Sequence, residues 1–390
     1  MRFILKRKIF IQWLILLSIY LIPIFSINEQ LFFYGLVTEQ DSNILLKIGK
    51  DIIFILIYIE ALVHYVRRNK YPKYIIFFSV LFILIFSSII LTRNIILIMG
   101  GLRWCHLFFL ILFLHRIADD EFLYKFYKAI KFIFYIHISS QIFELFVMPP
   151  LYGGISIMGL TARVPGIFTY PSTAAVYTCS FYLLYLLFEK KKTFISLVLI
   201  FASLAMAMSS TGVIIALGLF YVDLLKKLKS IKVTIFTFLF IIPVILINLD
   251  SITGRNEGDS EISGKERISI LSDAIENTEI ISTSFGSASN TAYSLNIDNS
   301  FIADSALVSI YVNLGLLGFI ILSIPLLVAV LYILKFNLDR LCLFVIWSFG
   351  VSLPTIIMES FPANIIMAIL INYFYERGIL HKEMRVLRSY

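Results

Sequence analysis

Runs of about 20 apolar residues recur along this chain, and a run of that length crosses a hydrocarbon core at about 1.5 Å per residue. They are what most limits its fold. In lipid the backbone must satisfy its own hydrogen bonds, so such runs are helices or strands of a closed barrel, and their length selects helices. Composition agrees: 59% of residues are hydrophobic and only 15% charged, against about 25% charged in a soluble domain. The expected fold class is an all-α integral membrane protein with about twelve transmembrane helices.

The spans are read at 9–27, 44–66, 74–92, 95–114, 129–148, 171–188, 193–209, 211–225, 233–249, 305–334, 341–358 and 361–375. The seventh and eighth are short and joined only by Ser209-Ser210-Thr211-Gly212, so one re-entrant hairpin is an alternative. Three regions follow. Residues 1–249 hold nine spans and a short polar loop at 149–170, residues 250–304 form one large polar loop, and residues 305–390 hold the last three spans and a tail. The basic start Arg2-Phe3-Ile4-Leu5-Lys6-Arg7-Lys8 precedes an apolar run too long for a signal peptide and without a small-residue cleavage site. It is read as a retained first helix.

The net charge of +8 would suggest nucleic acid in a soluble protein, but its distribution explains it better. Lys and Arg prefer cytoplasmic loops. With the N-terminus inside, most of the 33 basic residues fall in cytoplasmic segments. Those left over are Lys47, Lys50, Arg93, Arg103, Arg163, Arg255, Lys265 and Arg267, while the opposite loops carry acids. Both termini are expected in the cytoplasm, and no nucleic-acid partner is implied. The three cysteines lie in three different apolar segments and offer neither a disulfide framework nor metal spacing. No HExxH, Walker loop or GxGxxG is present, and no histidine falls in an external loop. No metal or cofactor is expected.

The leftover arginines are the informative residues. Arg163 lies in a Gly- and Pro-rich loop just before Pro171, which suits the first turn of a helix. There it either binds an anion beside unpaired N–H groups or reaches for lipid headgroups. In the long loop, apolar residues at 268, 271, 274 and 275 predict an amphipathic helix over about 265–277, with Ser263 as N-cap. Arg267 would sit in its first turn, where the helix dipole disfavours a cation unless an anion is also there; the alternative is a solvated charge run. Arg103, in mid-span, is costly unless paired or facing a polar cavity, and Glu60 and Glu144 are its candidate partners. Asp304 is placed either to cap the next helix or to act as a base at the membrane face.

Together these residues resemble the O-antigen polymerase family of the O-antigen polymerase and ligase superfamily, bacterial membrane glycosyltransferases of the GT-C type. The likeness rests on four features: the run Arg163–Ser172, the Ser209-Ser210-Thr211-Gly212 turn, Arg267 followed later by Gly286, and Asp304-Ser305 leading to Gly315-Leu316-Leu317-Gly318. It implies oligosaccharide units on undecaprenyl pyrophosphate as substrate, at the outer face of the inner membrane, and a chain-length regulator as partner protein. It also implies that Arg163 and Arg267, with Arg255, bind pyrophosphate or sugar. Arg103 joins them as a further substrate-binding candidate, and Asp304 or Asp298 is the candidate base. Ligases typically carry a His before Asn or Ser at the loop exit, where this chain has Asp304 before Ser305. The polymerase reading therefore leads. Ligase is the first alternative, and a flippase or other transporter, suited by Arg103, Lys47, Asp51 and Glu60, is the second.

Overall fold

In a computed structural model, residues 2–26, 44–67, 74–147, 152–157, 160–168, 170–228, 259–276, 279–289, 305–336 and 339–387 are described. The expected span at 233–249 lies outside them. In chain order the elements are α1 (Arg2–Tyr20), α2 (Ile44–Arg67), α3 (Ile75–Leu91), α4 (Ile95–Trp104), α5 (His106–Phe113) and α6 (Asp120–Val147). A two-stranded antiparallel ribbon follows, β1 (Tyr152–Ile157) and β2 (Leu160–Arg163). Then come α7 (Pro171–Phe188), α8 (Phe194–Met206), α9 (Ser210–Leu228), α10 (Asp259–Glu276), α11 (Ala306–Phe336), α12 (Asp339–Ser352) and α13 (Ala363–Leu387). The described elements are otherwise all helices, in line with the all-α expectation, and the ribbon is a short exception. It falls where Gly153 and Gly154 lower helix propensity.

Short polar side chains set most helix starts, as capping requires. Asp119 Oδ1 accepts from the Phe122 N–H at 2.8 Å, which begins α6 well before the expected residue 129. Asn94 caps α4, Thr193 caps α8, and the Ser209 hydroxyl accepts from the Gly212 N–H ahead of α9. Pro171 occupies the first turn of α7 as expected. At α11 the cap is Ser305, whose hydroxyl accepts from the Val308 N–H at 3.2 Å. Asp304, expected to cap this helix, lies outside the described residues.

α7 is the hub. Every residue from Ala174 to Leu187 is buried, as befits a helix apolar all round, and it packs against α6, α8, α9, α12 and α13. The outward faces of its neighbours are also apolar: Ile76 is 73% and Phe86 64% exposed on α3. A soluble protein rarely shows so continuous an apolar surface. Among the described residues, three helices are long and apolar enough to cross a membrane: Asp120–Phe146, Pro171–Phe188 and Ala306–Ile333. The pair α4 and α5, bent by 43°, makes a fourth if it is one span.

Ion pairs gather at one end of the bundle. Arg7 pairs with Glu60, Lys8 with Asp119 and Lys131 with Glu189, each at 2.7 Å, and Lys192 pairs with Asp223. Away from these pairs, the turn at 92–94 meets the segment 279–289, where the Thr92 hydroxyl donates to the Thr283 carbonyl and accepts from the Phe285 N–H. Arg93 stands in that turn.

Candidate functional site

Two arms turn back into the bundle. The first follows the ribbon, in which Tyr152 pairs with Arg163. Directly after Arg163 the chain dives inward. The Val164 N–H donates to the Met206 carbonyl at 2.8 Å, and the Val164 carbonyl accepts from Gln141 Nε2 at 2.9 Å. The same amide nitrogen donates to the Ser203 carbonyl, and the Ser203 hydroxyl donates back to Gln141 Oε1 at 2.7 Å. Thr178 shares a hydrogen bond with Ser203, and His137 Nε2 lies 3.3 Å from that hydroxyl. Gln141, Ser203, Thr178 and His137 are all sealed from the surface.

One turn further on, the Gly166 N–H donates to Glu144 Oε2 at 3.0 Å. Gly166 has φ +63°, and a Cβ there would sit 2.6 Å from His137 Nδ1, so only glycine passes. Phe168 then stacks against His137 and Tyr177. This buried network is expensive to desolvate and is held by hydrogen bonds among its members, though the buried His137 Nδ1 has no hydrogen-bond partner among the described residues. Its effect is to fix the backbone on which half-exposed Arg163 stands.

The second arm, residues 279–289, lies between α4 and α11. α11 breaks at Gly315 (φ 74°, ψ −171°). The N–H groups of Leu316 and Leu317, freed by the break, donate to the carbonyls of Glu279 and Ile280 at 3.0 and 3.2 Å. Asn313 then clasps the arm: its Oδ1 accepts from the Gly286 and Ala288 N–H groups, and its Nδ2 donates to the Ala288 carbonyl. From the other side the Thr92 hydroxyl accepts from the Phe285 N–H at 2.8 Å. The Phe285 ring fills the space that a side chain at Gly101 would need, and Gly286 (φ +89°) lies so close that a Cβ would come within 1.8 Å of the Leu97 carbonyl oxygen. Gly286 and Gly315, singled out from sequence, thus have a packing and a hydrogen-bonding reason.

Helix breaks mark the same region. α4 ends at Trp104, whose indole N–H donates to the Ser309 hydroxyl, and the chain bends at Cys105. Half-exposed Arg103 stands just before that bend. Opposite it, α12 stops at Ser352, short of the expected 358, because Pro354 removes a donor and resists helix. An irregular stretch runs from there to Pro362. Glu359 in this stretch lies within electrostatic reach of the Cys105 thiol. The bounding Pro354 and Pro362 suit a non-helical segment.

The other expected residues fare unevenly. Arg255, Asp298 and Asp304 lie outside the described residues, as do the side chains of Arg267, Lys47 and Asp51. The helix carrying Arg267 begins at Asp259, before the expected 265, and Ser263 is inside it. Asp259 and Glu261 suit the positive dipole end, which extends the helix backwards. Arg267 therefore sits beyond the first turn, and the dipole argument for an anion beside it lapses. The expected apolar stripe is only partly covered: Ala274 is buried, whereas Ile268 and Ile275 are exposed. Of the partners expected for Arg103, Glu60 is paired with Arg7, and Glu144 Oε2 accepts from the Gly166 N–H.

Chemically, the buried network fixes the backbone beside Arg163, Arg103 stands just before a helix bend, and guanidinium groups suit a diphosphate or other polyanion. Among the described residues no group of three or more His, Cys, Asp or Glu is placed to hold a metal ion. No family model, curated protein or solved structure matches the chain.

Proposed function

We propose that this protein is a GT-C-like polysaccharide polymerase of a bacterial inner membrane. It has about twelve spans, both termini in the cytoplasm, and its site at the periplasmic face. It joins oligosaccharide repeat units carried on undecaprenyl pyrophosphate, as in O-antigen synthesis. The observation that supports this reading best is the pair of half-exposed arginines: Arg163, whose backbone is held by a buried network, and Arg103 in the last turn of α4, just before a helix bend.

In the reaction, an acceptor sugar hydroxyl attacks the anomeric carbon of the growing chain. The bond from that carbon to the pyrophosphate oxygen breaks, undecaprenyl pyrophosphate leaves, and the hydroxyl proton passes to a carboxylate, with Asp304 and Asp298 the loop candidates. Pyrophosphate leaves readily once its charge is stabilised, so cationic clamps carry most of the catalysis. Arg163, Arg103 and Arg267 are those clamps, with Arg255 beside them. A ligase would use the same donor site with a different acceptor. The broken helices favour a transporter as the second reading, because interrupted spans also line transport sites.

The test is a lipopolysaccharide gel from the host with the gene deleted and then restored. Collapse of the ladder to core plus one unit is the expected result. Bare core with lipid-linked polymer accumulating means a ligase, units stranded on the cytoplasmic side mean a transporter, and an unchanged ladder overturns the O-antigen assignment.

A further inference from the structure

The isoleucines of α10 and of the arm that follows it are more exposed than a polar loop requires. Ile268 is 69% and Ile275 49% exposed, and Ile280, just past the helix, is 68% exposed. At about 3.6 residues per turn Ile268 and Ile275 lie on one side of α10, with half-buried Leu271 between them. Turning the helix one way from this flank reaches Ala274, which is buried. Turning it the other way reaches Ser272, Lys265 and Glu276, and then Ser269 and Asp273, all of them exposed. The apolar arc of α10 is therefore wider than the part the bundle covers. α10 packs on α11 and leaves the isoleucine flank open, between the bundle on one side and a polar face on the other.

The depth of that flank follows from α11. The Leu316 and Leu317 N–H groups donate to the Glu279 and Ile280 carbonyls, which sets Ile280 level with them. Leu316 stands about 26 Å above Ile333, the last residue of the span, close to the rim of a hydrocarbon core about 30 Å thick. Leu316, Leu317 and Ile320 are themselves exposed, and in a spanning helix it is lipid that covers such residues. Ile280 adjoins this surface, and α10 ends at Glu276, a few residues before it. The isoleucine flank thus continues the lipid-covered face of α11 at its rim. An apolar flank beside a charged face at that depth is the arrangement of a helix lying along the boundary between headgroups and acyl chains.

We propose that α10 is an interfacial helix: Ile268, Ile275 and Ile280 enter the leaflet around the Gly315 break, while Lys265, Asp273 and Glu276 stay in water. So seated, α10 holds the second arm at the depth of lipid headgroups, where a lipid-borne phosphate also lies. The inference rests on α11 spanning the membrane and not on the polymerase reading.

The test uses the full chain in phosphatidylcholine nanodiscs. Cys105 and Cys179 are buried, so a Cys342→Ala background leaves one added cysteine to take a thiol-reactive fluorophore. Each label is challenged with lipid carrying a nitroxide near the top of its acyl chain, and with iodide in the water. Labels at Ile268→Cys and Ile275→Cys are expected to be quenched at least about twofold more by the nitroxide lipid, and about twofold less by iodide, than a label at Asp273→Cys on the polar face. Quenching by iodide alone, equal to that at Asp273→Cys, means a solvated flank and overturns the inference. Quenching by neither means that protein covers the flank, another loop or a second copy, and overturns it as well. If those two variants do not accumulate, Ile280→Cys decides by the same pair of quenchers. A label at Ile320→Cys that no nitroxide lipid reaches removes the span itself, and the inference with it.

Discussion

Residues 160–168 and 279–289 both turn into the interior of the bundle, but they are fixed by different means. The first arm is pinned by side chains of α6, chiefly Gln141 and Glu144, reaching its backbone. The second receives two backbone hydrogen bonds from α11 at its break, is clasped by Asn313, and presses Gly286 against α4. Pinning by side chains concentrates the arm's hold in a few replaceable groups. Stitching through backbone spreads it, and leaves packing space as the vulnerable element.

The largest effect should therefore come from the second arm's glycine. Gly286→Ala combines left-handed strain with a clash against backbone, costing about 3 kcal/mol or more. The expected outcome in detergent-purified protein is a large fall in melting temperature or failure to accumulate. Next comes Asn313→Leu, which strands two N–H groups and a carbonyl, at about 1–3 kcal/mol for each buried group left unpaired. Asn313→Asp keeps the acceptor and should cost less. Equal melting of the two variants would break the idea that this amide clasps the arm.

Gln141→Leu is the counterpart in the first arm, and should cost about 2 kcal/mol by leaving the Val164 carbonyl unpaired. Here the sharper readout is functional. Loosening the Arg163 backbone should shorten the polymer ladder in cells while the protein still inserts. A normal ladder would separate Arg163 from the network beneath it. Ser305→Ala, a lost cap, should cost about 1 kcal/mol and change melting only slightly.

The smallest effect lies among the ion pairs. The Glu189 carboxyl is held below its usual range, first by the Lys131 ammonium and then by the Tyr127 hydroxyl. Its folded-state pKa is thus lower than the unfolded value, so its stabilising contribution is present above about pH 4.3 and fades as pH falls through the folded value. Wild-type melting should decline more steeply than that of Glu189→Gln on acidification below about pH 5, the region of the unfolded carboxylate. Parallel curves would remove this contribution.

Much of the helical plan was legible because its signals are local. Pro171 starts α7 and the apolar runs set lengths, whereas the Asp119 cap that starts α6 ahead of residue 129 was not read. What escaped the sequence is tertiary. The run from Ile95 to Leu114 is apolar apart from Arg103 and His106, and nothing in its period announces the bend at Cys105. It follows from Phe285 filling the space over Gly101 and Trp104 bonding Ser309. Arg103 and Arg163 were legible as misplaced charges, whereas Asn313, an ordinary polar residue in an apolar helix, shows its purpose only once the arm is in place.

The break at Gly315 also sets an order of assembly. In lipid, the unpaired N–H groups of Leu316 and Leu317 would each cost several kcal/mol. Their acceptors, Glu279 and Ile280, are synthesised earlier and belong to a different part of the chain. The lower part of α11 is apolar and self-satisfied, so it can enter the bilayer on its own. Its upper turns become stable there only after the polar segment before it has crossed and folded back, which makes completion of this helix a late checkpoint in biogenesis.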